Sequence, residues 1–372
     1  INNWANKIDL LSPRGETIIL NINNVRLGLF YKQERHGKEW FEKQKITNYS
    51  ILKNNDDWDK KIFGHVSDLD LNEKNIEVSG PGMHKDIALG SLKTLFDAIK
   101  SENLTTILDL IDVDYFSKFL AMSTIINDDH TFTGDNLKYI YDFTNGKFKV
   151  FFRYESSIIR PINGSIEEFN KVLFSHQREE VLSHKLFKIL LDDNNFREQR
   201  DAHLQKIIDQ KDNMINEAYN AYDDAYKNII FSDIKLRHQK HLKKLFFKTL
   251  IHNFEKTSNY LSYAKIYMVE ERMNDFIKLS LVNDSFVPIR LKSISFKKEN
   301  NIKKIIRIEY ENEEQYQLPP ITISKNQKHH VEKEIYIHTD LLIDKIEFQN
   351  LITKNIVNQE HIYRNAISIY NK

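Results

Sequence analysis

From Glu167 to Met268 the chain carries no glycine. Glycine is the residue that most readily supplies turns and helix stops, so an interval this long without one favours long helices joined by short links. Apolar spacing places three helices there: Ile166 to Asp192, Asn195 to Ile230 and Asp233 to Met268. The flanking regions have a shorter period. From about Glu16 to Val78 the apolar residues alternate in the runs TIILNI, VRLGLFY and YSILK, between Asn-Asn and Asn-Asp pairs that favour turns. From Asp275 onward FIKLSLVN, PIRLKSISFK, KKIIRIEY, ITIS, EKEIYIH and DKIEFQN follow at short intervals, the pattern of a β-sandwich.

The expected fold class is therefore α+β, in three parts: a β-rich N-terminal region over residues 1–90, a helical region over 91–270, and a β-sandwich-like region over 271–372. SGPGMHKD (Ser79 to Asp86) sets two glycines around a proline and is expected to mark a hinge or a domain edge. Beyond it, Leu92, Leu95, Phe96 and Ile99 fall at helical spacing, and Asp114 is placed to cap the segment that buries Phe116, Phe119, Leu120, Met122 and Ile126. LKYIYDFTNGKFKVFFRYES then reads as a β-hairpin around Asn145-Gly146.

Composition narrows the function classes. Hydrophobic residues at 41% and charged residues at 29% belong to a globular chain rather than a disordered one. A net charge of +1 supplies no general attraction to nucleic acid or an anionic membrane. No run reaches the roughly 18 to 20 apolar residues needed to cross a bilayer, so no transmembrane span is expected. The absence of cysteine excludes disulfides, thiolate metal sites and cysteine nucleophiles. Because the chain begins at Ile1 rather than Met, a leader could precede it.

The stretch most suggestive of chemistry is NDDHTFTGDN (Asn127 to Asn136), set between the apolar helix FSKFLAMSTII and the hairpin. A buried helix, a polar loop and an aromatic hairpin that ends in charge would hold acidic groups at both mouths of one cleft. Phosphoryl transfer needs such an arrangement: one carboxylate to accept the hydroxyl proton, and an amide with a second carboxylate to hold the metal on the phosphates. Asp128 or Asp129 would be the first, Asn136 the second and Glu155 the third.

These residues resemble the catalytic region of the CotH kinase family, named for a bacterial spore-coat protein. Upstream, LGLFYKQERHGKEWFEKQKITNYSILKNND (Leu27 to Asp56) is similar to the family's strand leading to a Glu, followed by a helix and a second strand ending in Lys. Downstream, LFKILLDDNNFREQRDAHLQKII is similar to the helix that follows the site, so the likeness spans roughly Asn24 to Met268. It implies an atypical protein-kinase-like two-lobe fold, with a small β-rich lobe and a large helical lobe, using ATP and Mg²⁺ or Mn²⁺. Asp129 would be the catalytic base, with Asp128 as the competing choice, and Asn136 and Glu155 the metal ligands. Lys53 and Glu34 would be the nucleotide-contacting lysine and its acidic partner. Protein or coat-protein substrates and a secreted or surface location follow from the same likeness, with no expectation for oligomeric state.

Three departures stand out. Asp129 to Asn136 is longer than the family's usual interval, the family's Trp-Asp pair is replaced by Arg153, Tyr154 and Glu155, and the N-terminal region is short. The extra methylene of Glu moves its carboxylate outward, where Mg²⁺ demands near-ideal octahedral geometry. A catalytically lapsed relative that serves as a surface binding or assembly protein is thus the alternative, and a glycosidase pair of Asp129 and Glu155 a third. Plainer roles stand beside these: Asp128 and Asp129 as a helix-end turn, His130 as a loop residue, and Glu155 as an ion-pair partner of Arg153 or Arg160. His238 with His241 and His329 with His330 are expected on basic or turn surfaces, and Tyr219, Tyr222 and Tyr226 as a packing stripe.

Overall fold

The computed structural model describes residues 1–54, 76–82, 84–127, 137–154, 159–166, 168–170, 182–229, 239–273, 276–298, 301–309, 316–324, 327–329, 331–339, 341–357 and 362–364. The chain is mixed α+β. It divides into two compact units, one of Ile1–Leu191 with Lys206–Lys256, the other of Asp192–Gln205 with Thr257–Lys372. This division differs from the three sequence zones, because helix-forming residues contribute to both units.

The first unit opens with α1 (Asn2–Lys7) and the antiparallel hairpin β1 (Gly15–Ile22) and β2 (Val25–Gln33), turned by Asn23 and Asn24 at φ 47° and 63°. Positive φ at both central residues is what a two-residue hairpin turn requires, and asparagine tolerates it. Next come α2 (Lys38–Lys43), β3 (Tyr49–Asn54), β4 (Ile76–Ser79), α3 (Lys85–Lys100), α4 (Leu104–Leu110), α5 (Val113–Ile126), β5 (Lys138–Asp142) and β6 (Lys147–Val150). The four strands β4-β3-β5-β6 form one antiparallel sheet in that order. Gly80 and Gly82 press the SGPG turn onto β3: the Gly82 N–H donates to the Tyr49 carbonyl at 3.0 Å, and a Cβ on Gly82 would lie 2.6 Å from the Phe143 ring. Both sides of this turn belong to the first unit, so it is a wedge that starts α3 rather than a domain edge.

Helix α5 forms the centre of this unit. Phe116, Phe119, Leu120, Ala121, Met122, Ile125 and Ile126 are all fully buried, far more than the one-sided stripe of a surface helix. Its N-cap is Asp112, whose carboxylate accepts from the Tyr115 N–H at 3.1 Å. Asp114, the expected cap, lies two residues further on, within the first turn, and pairs with Lys118 at 2.8 Å. The Tyr115 hydroxyl donates to the Val150 carbonyl at 2.6 Å and accepts from the Leu11 N–H at 2.8 Å, and burial pushes its phenol well above the usual range.

The glycine-free interval forms four helices in the described residues: α6 (Leu182–Asp192), α7 (Asn194–Asp209), α8 (Lys211–Ile229) and α9 (Gln239–Ser262). The expected second helix is broken at Gln210, whose N–H donates to the Ile207 carbonyl in a tighter turn of 3.1 Å. No glycine or proline marks the break. The expected third helix ends at Ser262, and Ile266 to Met268 open a strand instead. Tyr219 stacks on Phe247 at 3.7 Å with Lys243 over Tyr219 and Tyr222, so the visible part of the tyrosine stripe is packing.

In the second unit, β7 (Ile266–Met273) and β8 (Phe276–Asn283) pair antiparallel, followed by β9 (Ile289–Lys298), β10 (Asn301–Glu309), β11 (Gln317–Leu318), β12 (Thr322–Ser324), β13 (Gln327–His329), β14 (Glu332–His338), β15 (Leu342–Asn350) and β16 (Ile362–Arg364). One sheet has the order β14-β8-β7-β16; a second is centred on β9, flanked by β10, β11 and β15. Ile335 and Ile337 alternate with exposed neighbours on β14, as strands with one covered face do, and Ile277 and Leu279 alternate with half-buried neighbours before β8 becomes buried throughout from Leu279 to Asn283. A fully buried network ties the helical part of this unit together. Arg200 Nε donates to Asp201 Oδ1 at 2.7 Å, Arg200 Nη2 donates to the Tyr260 hydroxyl at 3.2 Å, and that hydroxyl donates to Asp201 Oδ2 at 3.2 Å. Among the described residues, no helix is long and apolar enough to cross a membrane.

Candidate functional site

Asp128, Asp129, His130, Asn136 and Glu155 lie outside the described residues, as do His238 and His330. What the structure does fix is where the two segments bearing these groups are anchored. One leaves at Asn127 and returns at Leu137; the other leaves at Tyr154 and returns at Ile159.

Asn127 takes the left-handed conformation at φ 47°, closing α5, and its side-chain Nδ2 donates to the Pro161 carbonyl at 3.0 Å. At the other pair of ends, the Phe151 N–H donates to the Lys138 carbonyl at 3.0 Å. The exit of the first segment is therefore tied near the return of the second, and the return of the first near the exit of the second. A buried residue of α9 reinforces this. Asn253 Oδ1 accepts from the Ile162 N–H at 2.8 Å, while Nδ2 donates to the Ile125 and Arg160 carbonyls at 2.9 Å each. Asn253 is fully buried, and these three bonds satisfy its amide together with a helix-end carbonyl and two loop groups. Two further contacts hold residues 151–154. The Phe152 N–H donates to the Leu11 carbonyl at 2.9 Å, and the Tyr154 N–H donates to Asn2 Oδ1 at 2.8 Å.

Lys53 sits on β3, directly opposite Glu77 on β4 and Lys138 on β5, so the three share one face of the sheet. Glu34 follows β2, and its Oε2 accepts from the Arg14 backbone N–H at 3.0 Å and from the Trp40 indole N–H at 3.2 Å. No ion pair joins Glu34 to Lys53 among the described residues. Glu34 instead closes the base of the first hairpin and positions Trp40, whose ring meets Phe151 at 5.7 Å.

The half-buried His36 ring packs on Phe151 as well, at 4.8 Å. Its pKa is held below the ordinary value, first by burial and then by the positive charges of Lys138, Arg153 and Arg35. The anchor region of the two segments is thus cationic on its described side. Nucleotide phosphates suit such a donor set. For a metal, no group of three His, Asp or Glu side chains gathers among the described residues, and the expected ligands Asn136 and Glu155 fall outside them.

Sequence reasoning passed over Asn127, Asn253, His36 and Lys138. Asn253 left a faint signal: it is a polar residue on the face of α9 that also carries Leu250, Phe254 and Thr257, all buried. Such a residue needs partners of its own. His36 left none, because its neighbours Lys138 and Arg153 are distant in sequence. No protein-family model matches this chain, and no curated protein matches it.

Proposed function

We propose that the chain is a CotH-like atypical kinase, transferring the γ-phosphoryl group of ATP to a Ser or Thr hydroxyl of a protein with the help of Mg²⁺ or Mn²⁺. One observation supports this: the described residues that flank the segments bearing Asp128, Asp129 and Asn136 and bearing Glu155 are hydrogen-bonded to each other, Asn127 to Pro161 and Phe151 to Lys138. A base and metal donors drawn from two segments can act on one phosphate only if those segments share an anchor. In this proposal Asp129, or Asp128, takes the hydroxyl proton, Asn136 and Glu155 hold the metal, and Lys53 meets the phosphates. The sheet β4-β3-β5-β6 with the first hairpin serves as the small lobe, the helices as the large lobe, and the strand-rich second unit as an appended β-sandwich-like domain. A secreted or cell-surface setting with a surface or coat protein as phosphoacceptor belongs to the same proposal. Incubation with γ-labelled ATP and Mg²⁺ or Mn²⁺ tests it. Label enters protein in the wild type and not in Asp129→Ala; absence of label from the wild type under both metals sinks the proposal.

A second reading, a lapsed relative that serves as a binding or assembly module, is favoured by two observations. Glu34 is committed to Arg14 and Trp40 rather than to Lys53. The first hairpin also exposes large apolar side chains, with Val25 at 59% and Tyr31 at 58%. ATP turnover that vanishes in Glu155→Gln would eliminate it.

A further inference from the structure

We infer that the first hairpin joins two copies of this chain, the outer edge of β1 pairing antiparallel with the same edge of its copy about Ile19. Among the described residues no third strand joins this hairpin. A ribbon of two strands is marginal by itself, and this one carries apolar side chains on both faces. Ile18 stands opposite Phe30 on one face, with Ile22 opposite Val25 further along it, and Thr17 stands opposite Tyr31 on the other. Ile22, Val25, Phe30 and Tyr31 are all exposed. The backbone identifies the free edge. The Glu34 N–H donates to the Arg14 carbonyl at 2.8 Å, so Arg14 faces β2. By alternation Glu16, Ile18 and Leu20 also turn their backbone groups to β2, while Gly15, Thr17, Ile19 and Asn21 turn theirs away. The register shift at Leu20 and Asn21 passes over Leu27 of β2, so β1 itself keeps the alternation. Gly15 bears this out: its N–H donates to Asn3 Oδ1 and its carbonyl accepts from Asn3 Nδ2, each at 3.1 Å, as an adjoining strand would do. Among the described residues nothing comparable meets Thr17, Ile19 or Asn21.

What this edge presents decides its occupant. From Thr17 to Ile22 β1 has no charge and no proline, so it lacks the usual guards against strand addition. Paired with its copy about Ile19, Thr17 lies opposite the copy's Asn21, Ile18 opposite Leu20 and Glu16 opposite Ile22, so no like charges meet. The same register sets the outward groups of Thr17, Ile19 and Asn21 against those of the copy's Asn21, Ile19 and Thr17. A slip by one residue would lose that match. Asn3 already holds Gly15, so the pairing stops there. β2 is the poorer edge, because it carries Arg26 and Lys32 with no acidic residue and lies beside α8. Two-fold pairing of β1 closes on itself as a dimer, and the apolar faces of the hairpin then run across both copies. This self-association goes beyond the phosphotransfer proposal. It also gives the exposed hairpin of the assembly reading one partner, a second copy of the chain.

Sedimentation velocity of the whole chain over a concentration series tests it. The pairing predicts a monomer–dimer equilibrium in the unsubstituted protein. Ile19→Lys and Ile19→Glu each set like charges face to face across the two-fold axis and should weaken the dimer about tenfold or more. An equal mixture of the two variants sets Lys against Glu at that position and should restore a dimer with one chain of each. Hydrogen exchange of the unsubstituted protein gives a readout that needs no variant: the Ile19 amide should be protected at high concentration and lose that protection on dilution. A monomer at every concentration up to solubility, a dimer that both variants leave intact, or Ile19 exchange independent of concentration overturns the inference. So does a mixture that stays monomeric while each variant keeps the wild-type circular dichroism spectrum. Open-ended polymers, the product of β1 pairing with β2 of the next copy, overturn it as well. Label transfer by a chain that stays monomeric would sink the pairing and keep the kinase; a dimer without label transfer would do the reverse.

Discussion

Asn253→Ala is the substitution whose outcome follows most directly from the anchor geometry. It removes one acceptor and two donor contacts from a fully buried position, leaving the Ile162 N–H and the Ile125 and Arg160 carbonyls without their side-chain partner. An unsatisfied buried donor costs about 2 kcal/mol and two carbonyls that keep some relaxation together about 1 kcal/mol, a loss of about 3 kcal/mol. In a unit of this size each kcal/mol moves the thermal midpoint by about 2–4 °C, so a fall of about 6–12 °C is expected by circular dichroism or calorimetry. Glu255→Ala, on the exposed side of the same helix, should stay within about 0.5 kcal/mol of wild type. The Ile162 amide should also exchange faster with solvent deuterium in Asn253→Ala. A midpoint lowered by less than about 1 °C, with Ile162 still protected, would refute the view that Asn253 clamps these chain ends together.

Two glycines should respond in opposite directions to alanine. Gly82→Ala drives a Cβ to 2.9 Å from the Tyr49 carbonyl and 2.6 Å from the Phe143 ring, and should cost about 1–3 kcal/mol in denaturant titration. Gly90→Ala, inside α3 with open space at the Cβ, should add about 0.5–1 kcal/mol. Arg200→Leu strands the Asp201 carboxylate in a fully buried site and should lower stability by about 3–5 kcal/mol, read as early loss of protection in β7 and α9 by hydrogen exchange. His36 titrates below its ordinary value in the folded state, so its contribution is intact above the unfolded pKa and is lost as pH falls through the folded one. His36→Gln should therefore lose less stability than wild type between neutral and mildly acidic pH. Parallel midpoint curves for the two proteins would contradict this.

Much of the strand placement was legible because period-two alternation and turn residues are local. TIILNI, VRLGLFY and YSILK became β1, β2 and β3, and FIKLSLVN became β8. The helical interval was legible in kind but not in its joints. Gln210 breaks a helix without glycine or proline, and Ile266 starts a strand that helical spacing had absorbed into α9. Those joints depend on which tertiary partners are available, which the local pattern does not carry. The cap at Asp112 rather than Asp114 is a two-residue shift between equally suitable carboxylates, decided by where the Tyr115 N–H points. Within the candidate site, the loop and hairpin were visible as residue types in order. The features that join them, Asn127 to Pro161 and Asn253 to Ile125, Arg160 and Ile162, are contacts between residues 34 to 128 positions apart, and no spacing rule reaches them.

The central claim is that this chain binds ATP with a divalent metal at the shared anchor of its two acidic segments. Thermal unfolding with ATP and Mn²⁺, against Mn²⁺ alone, tests it most directly. With ATP at a hundredfold excess over its dissociation constant, linkage predicts about 2.7 kcal/mol of stabilisation. That corresponds to a rise of roughly 5–11 °C in the midpoint, reduced in Lys53→Met and in Glu155→Gln. An unchanged midpoint at every ATP concentration up to solubility would contradict the claim.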